Sequence, residues 1–273
     1  MRIETGPGEP SPGIQGPPKP GSRALPGRYV ALRAAAVATL LFGVGSGTGF
    51  GADKPMPDPD AAGLSLSERS AALLDRIRVE QARLTTLEAE FVQRRESEFL
   101  AEPEDSRGTF AYRAPDLVRW DYLEPKPVSM VIHDNEMLTW YKDLGKAERL
   151  KVGRVSSQVF RYLNASGSLE SLMKYFFVTT SFPKESSEPY QIELAPRYAR
   201  IKKRLAGMTM WIGRDFFLPV RVRYVEVNGD VTEYRFEKLK RNGAIPPARF
   251  DLALPPGVEV KTIDLDRSGK AEP

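Results

Sequence analysis

The chain of 273 residues has no cysteine and a single histidine, His133. Without cysteine there is no disulfide scaffold and no thiolate ligand or nucleophile, so the fold must rest on its buried core. With one histidine, a Ser-His-Asp triad has only His133 to build on, and no G-x-S-x-G elbow accompanies it. His133 stands in His133-Asp134-Asn135, next to Glu136, a run that reads as a hairpin turn and not as a metal or acid–base site. Glu102, Glu104 and Asp105 read as a solvated loop, which leaves carboxylate-pair hydrolysis without a convincing pair. Gly-rich phosphate loops and metal-ligand spacings are missing as well. These absences point away from an enzyme, and neither a cofactor nor a metal is expected.

Net charge of one sign is also scarce. The chain carries +4 in total, but residues 1–52 hold five basic side chains (Arg2, Lys19, Arg23, Arg28, Arg33) against Glu4 and Glu9, leaving about +1 for the rest. A nucleic-acid binder needs a net basic footprint, and this chain offers none despite its alkaline pI. One local exception is Arg197, Arg200, Lys202, Lys203 and Arg204. This cluster reads as a solvated loop and strand edge that discourages edge pairing; the alternative is a face for acidic lipid head groups or an acidic partner.

Residues 1 to about 27 are rich in Pro and Gly and cannot form a core. The arginines 23, 28 and 33, the apolar run Ala34–Val44 and the small residues through Gly45–Ala52 read together as a secretory signal. The apolar run is about half the ~20 residues that a membrane-spanning helix needs. Cleavage is expected between Gly49 and Asp53, giving an exported protein without a lipid anchor. Residues 53–63 form a flexible lead-in, 64–262 one folded domain, and 263–273 a polar tail.

What is plentiful is alternation. Ser65 with Glu68 three residues later forms a capping-box pattern, and Leu66, Leu73, Leu74, Ile77 and Leu84 predict an amphipathic helix to about Arg83. Leu87, Ala89, Phe91 and Gln93 then switch to period two, the mark of a strand with one apolar face. Between Gly108 and Tyr141 bulky residues recur on every second position: Phe110 and Tyr112; Val118, Trp120 and Tyr122; Val128, Met130 and Ile132; Leu138 and Trp140. Turn signals separate these runs, so neighbours are consecutive and antiparallel. A short strand follows at Ala147–Val152. Val155, Val159, Phe160 and Leu163, and then Ser168–Phe176, predict two short helices. Strands resume at Tyr190–Leu194, Leu205–Ile212, Leu218–Val227 and Val231–Lys240, the last two joined by an Asn228-Gly229 hairpin signal, with a final strand at Phe250–Leu254. The expected fold is α+β and mainly β: an incomplete antiparallel barrel of about 10–11 strands. The bulk of the apolar face suits either a packed core or a lipid-sized hollow. Met208 and Met210, sharing a face with Ile212, add pliable filling.

Several landmarks resemble the LolA family of periplasmic lipoprotein carriers. They are Ala89-Glu90-Phe91-Val92-Gln93; Gly108-Thr109-Phe110, Pro115, Arg119-Trp120 and Pro125; Asp134-Asn135 with Leu138 and Trp140; Gly167-Ser168-Leu169; and Phe250, Pro255-Pro256-Gly257-Val258 and Val260. They occur in family order over residues 70 to 262. The resemblance implies a lid of short helices over an apolar cavity. It also implies a non-enzymatic periplasmic chaperone that takes triacylated lipoproteins from an inner-membrane ABC transporter and carries them, as a monomer, towards an outer-membrane receptor. A LolA-like lipid-binding or envelope-sensing module is the alternative. The cavity wall is then expected from Phe91, Phe110, Tyr112, Val118, Trp120, Tyr122, Met130, Ile132, Leu138 and Trp140 on one side. Ile192, Leu194, Met208, Met210, Ile212, Val220, Val222 and Tyr224 supply the other, with Val159, Phe160, Leu169, Leu172, Met173 and Phe176 in the lid. The family's latch arginine has no counterpart here: Ala114 holds its position, and Arg113, one residue off, points by alternation away from the face of Tyr112.

Overall fold

The computed structural model describes residues 56–134, 136–151 and 173–264. Its first element, α1 (Leu66–Ala82), starts where the sequence places it. Ser65 Oγ accepts from the Glu68 amide at 3.4 Å and Glu68 Oε2 accepts from the Ser65 amide at 2.8 Å, satisfying donors that a helix start leaves open. The helix buries Leu73, Ile77, Val79 and Glu80, while Leu66 lies exposed at its start.

Among the described residues twelve strands follow, and all belong to one sheet. They are β1 (Thr86–Glu96), β2 (Glu104–Arg113), β3 (Leu117–Glu124), β4 (Val128–His133), β5 (Glu136–Tyr141), β6 (Lys146–Lys151), β7 (Phe176–Ser181), β8 (Tyr190–Pro196), β9 (Leu205–Ile212), β10 (Pro219–Glu226), β11 (Val231–Arg241) and β12 (Glu259–Asp264). The spatial order is β12-β6-β5-β4-β3-β2-β1-β11-β10-β9-β8-β7, so the sheet stays open between β12 and β7. A short helix, α2 (Ala199–Lys202), joins β8 to β9. This is the expected incomplete barrel. Its concave face carries one continuous core running from β6 across β1 to β7, against which α1 packs Leu73 and Ile77.

Three expectations about elements need correcting. Phe176, expected in a lid helix, begins β7; Phe176-Phe177-Val178-Thr179-Thr180 has the β-branched and aromatic bulk of a strand. Phe250–Leu254 is not a strand. A 3-10 turn at Pro247–Phe250 instead seats Phe250 on the convex face against Ala111, Ile245 and Leu117. The last described strand is β12, and it pairs with β6 in parallel, the one departure from antiparallel pairing among the described strands. The expected helix at Val155–Leu163 lies outside the described residues.

Chain direction sorts the turns into two ends. At one end lie the β2–β3, β4–β5, β7–β8 and β9–β10 turns and the exit from β11; α1 covers this end. Ser70 Oγ meets Thr180 Oγ1 at 2.6 Å, and Arg69 and Arg76 lie over the Phe182 and Phe217 rings at 4.2 and 4.5 Å. Arg76 Nε donates to Glu80 Oε1 at 3.0 Å, and Arg241 pairs with the other Glu80 oxygen. The opposite rim holds the β1–β2, β3–β4, β5–β6, β8–β9 and β10–β11 turns and the start of β7.

Close approach at one glycine sets the concave wall. Gly108 of β2 faces Phe91 of β1, and a Cβ on Gly108 would lie 2.0 Å from the Asp121 carbonyl and 2.6 Å from the Phe91 ring. The β2–β3 register slips at Arg107/Gly108, a bulge that bends the strand where the ring sits. Gly108→Ala must therefore displace main chain, not merely a flexible side chain. It is expected to cost about 3 kcal/mol and lower the melting temperature by roughly 10 °C. Thermal melts check this; an unchanged melting temperature would mean that the wall yields at this point.

Candidate functional site

The concave face is built around aromatic contacts. Trp120, fully buried, has its ring centroid 4.9 Å from both Phe91 and Phe110, in a T-shaped contact with the latter. Tyr234 and Phe236 of β11 meet Trp120 at 5.7 and 6.1 Å, and Tyr122 lies edge-on to Phe91 at 5.0 Å. Offset and edge contacts of this kind add to the burial each ring already contributes. The Tyr122 and Tyr234 hydroxyls meet at 3.3 Å, and burial pushes the Tyr122 phenol well above its ordinary range. Neighbouring strands continue the surface: Val222 pairs with Met210 and Met210 with Ile192, while Tyr224 pairs with Met208 and Met208 with Leu194. A cavity of about 220 Å³ opens beside this core, lined by Gly213, Asp215, Phe216, Leu218, Val220 and Leu239.

Of the expected wall, Phe91, Phe110, Tyr112, Val118, Trp120, Tyr122 and Met130 are buried on the concave face, with Ile132 partly buried beside them. Ile192, Leu194, Met208, Met210, Ile212, Val222 and Tyr224 are buried there too. Val220 falls in the register slip between Pro219 and Arg221, and it lines the small cavity and not the main core.

Leu138 and Trp140 are on the wrong face. His133 pairs with Glu136, so Ile132 pairs with Met137 and Met130 with Thr139. Met137, Thr139 and Tyr141 thus face inward, and Leu138 and Trp140 face outward opposite Val131 and Ser129. Both sets on β5 are bulky, so bulk did not decide; the pairing of His133 with Glu136 did. Of the expected lid, Met173 is exposed and Phe176 is buried at the start of β7, whereas Val159, Phe160, Leu169 and Leu172 lie outside the described residues. Tyr234 and Phe236 were missed, although the alternation of Val231–Lys240 points to them. Tyr190, Leu73 and Ile77 complete the core from β8 and α1.

The convex face is polar chemistry under a strap. Arg113 points outward, as alternation requires; it donates to the Ile245 carbonyl and lies 5.0 Å over the Phe250 ring. Arg119 is also outward, donating to Asp121 at 2.9 Å and to the Asp251 carbonyl at 3.0 Å. Asp121 further accepts from Ser129 Oγ at 2.6 Å and from Arg249 Nη1 at 2.8 Å, while Arg249 Nη2 reaches Thr109 at 2.9 Å. These contacts hold residues 245–251 against β2 and β3, a structural use of Arg119. His133, the last residue of β4, lies exposed beside Asp116 and Asp134 of the adjoining turns, and its Nδ1 is 3.2 Å from Asp134.

The arrangement is an open sheet with a continuous apolar concave face and a helix laid across one end. A family model described as outer membrane lipoprotein carrier protein LolA matches residues 82–253, and the chain belongs to that family. Curated relatives named outer-membrane lipoprotein carrier protein include one from Alkalilimnicola ehrlichii, 28% identical over 197 residues, covering 71% of this chain and 86% of that one. Another, from Dechloromonas aromatica, is 27% identical over 183 residues, covering 64% and 80%. Similar solved structures include a LolA-superfamily protein from Nitrosomonas europaea, with 9% identity, TM-score 0.34 and coverage of 67% and 97%. The MucA/MucB complex from Pseudomonas aeruginosa gives 14% identity, TM-score 0.41 and coverage of 62% and 56%. The chain is accordingly a non-catalytic, periplasmic protein of the lipoprotein-carrier family.

Burial pushes the Asp121 carboxyl up, but hydrogen bonds from Arg119, Arg249 and Ser129 outweigh it and hold the group below the usual carboxylate range. Its stabilising contribution is complete above the unfolded pKa of about 3.9 and drains away as pH falls through the lower folded value. Asp121→Asn is expected to cost about 2 kcal/mol at pH 7. The difference from the parent should shrink below about pH 4, which melts recorded across pH will check.

Proposed function

We propose that the chain binds lipoprotein acyl chains between its concave face and α1 and carries them from the inner to the outer membrane. The observation that supports this most is the contrast in how α1 is held. Its inner side offers apolar contact through Leu73 and Ile77. Its margin is held by exchangeable polar contacts: Ser70 with Thr180, and Arg76 and Arg241 with Glu80. Swapping one hydrocarbon surface for another leaves burial nearly unchanged, so loading costs little beyond those polar contacts. Each buried methylene is worth about 0.8 kcal/mol, so three acyl chains left in water would cost on the order of tens of kcal/mol. A wall of Met208, Met210 and broad aromatic rings grips such chains without one dominant contact, which favours release.

In this reading the cargo is triacylated lipoprotein, the donor an inner-membrane ABC transporter, and the acceptor an outer-membrane lipoprotein receptor. Protein taken from the periplasm is expected to carry lipoprotein or phospholipid in native mass spectrometry. An empty protein unable to compete for a fluorescent fatty-acid probe would overturn the reading. Depletion in the host should strand lipoproteins at the inner membrane; normal sorting would favour the envelope-sensing alternative.

The absence of cysteine makes a sharper test possible. In Ser70→Cys/Thr180→Cys the two sulfurs replace oxygens 2.6 Å apart, within reach of a disulfide. Oxidation should pin α1 and weaken fatty-acid binding about tenfold or more, and reduction should restore it. Equal binding in both states would show that acyl chains enter without moving α1.

A further inference from the structure

The basic cluster of the β8–β9 connection has no place in the acyl-binding face. Arg197, Arg200, Lys202, Lys203 and Arg204 are all exposed, in an eight-residue stretch without an acid, and only Ile201 of that stretch is buried. Among the described residues no ion pair engages Arg197, Lys202, Lys203 or Arg204. Exposed aromatic rings are interleaved with these charges. Arg197 lies 4.6 Å over Phe177, which is 56% exposed, and Arg200 lies 5.6 Å from the Tyr198 ring, which is 47% exposed. Tyr198 in turn makes an edge contact with Tyr175 at 6.0 Å. Cations backed by half-exposed rings, each with an apolar body and a polar setting, suit a membrane–water boundary.

The distribution of other exposed apolar residues points the same way. The rim opposite α1 carries Phe99 in the β1–β2 turn, Leu123 at the end of β3, Leu144 in the β5–β6 turn and Val227 in the β10–β11 turn, besides Phe177 and Tyr198. Each described strand-to-strand connection at that rim thus has a large exposed apolar side chain within it or, for β3–β4, just before it. At the other end Leu66, at the start of α1, is exposed, and none of the described strand-to-strand turns there carries such a residue. The rim is not uniformly basic: Glu96, Glu98 and Glu102 lie about the β1–β2 turn, so the cationic part is the β7–β9 side.

We propose that this rim docks on an anionic phospholipid surface, with Arg197–Arg204 taking the lipid phosphates and Phe177 and Tyr198 entering the head-group layer. Attraction of this kind is local, because the chain beyond residue 52 is nearly neutral overall, and it weakens with salt. The contact is independent of the acyl-binding reading, since none of these side chains lines the concave core.

The test is co-sedimentation of the exported protein with vesicles of phosphatidylcholine alone or mixed with phosphatidylglycerol. Sedimentation is expected only with phosphatidylglycerol and should fall in high salt. Lys202→Gln/Lys203→Gln/Arg204→Gln should weaken it about tenfold or more, and so, by several-fold, should Phe177→Ser/Tyr198→Ser. Lys184→Gln/Lys240→Gln/Lys261→Gln, which removes the same charge elsewhere, should leave it unchanged. Circular dichroism melts confirm that each variant is folded. No phosphatidylglycerol dependence, or equal losses in the two triple variants, overturns the proposal. So does a patch variant that loses cargo handover while vesicle binding is absent throughout, a result that assigns the surface to an acidic protein.

Discussion

Phe91 lying over a glycine is the contact on which the concave wall depends. The ring occupies the space that a side chain at 108 would fill, and the bulge beside it bends β2 around the ring. Trp120 and Tyr122 then close on Phe91 from β3, and Tyr234 closes from β11. Interiors pack at crystal-like density, so a sheet with this much aromatic bulk on one side has to curve to bring the rings together. Curvature of the sheet, the concavity of the apolar face and the seat for α1 all follow from that packing.

The two faces do different work with different chemistry. Inside, contacts are apolar, and in the proposed function a hydrocarbon ligand takes the place of a hydrocarbon side chain. Outside, the Asp121 carboxylate gathers Arg119, Arg249 and Ser129 and fastens the strap that carries Phe250. Charge-assisted hydrogen bonds are directional and costly to leave half-made, so the convex face holds its shape while the concave face can exchange partners. An acyl carrier needs both properties at once. The same division explains why Arg113 and Arg119 belong to the frame and not to a lid.

The ends of the half-barrel also differ. One is closed by α1 through ion pairs and cation–ring contacts with Glu80, Arg241, Phe182 and Phe217. The other presents exposed apolar residues on its turns, with cations gathered on one side. The proposed acyl-binding face and the proposed docking rim thus use separate residues.

Period-two alternation determined a great deal unaided. It marked the concave residues of β1 to β4 and β8 to β10, because a strand sends neighbours to opposite faces whatever surrounds it. The capping box marked the start of α1 for an equally local reason. What alternation leaves open is which of two faces is inner when both are bulky, as on β5. There the register imposed by the His133–Glu136 pairing put Met137 and Tyr141 inside and turned Leu138 and Trp140 outward. Phe176 to Thr180 became a strand because β8 offered an edge, and Phe250 became a plug because Ala111 left room on the convex face. The sequence by itself determined the class of fold, the family and most of the apolar wall, since these rest on local geometry. Only the tertiary structure decided the face of β5, the strap over β2 and β3, and the gathering of exposed rings and cations at one rim, because each depends on residues far apart in the chain.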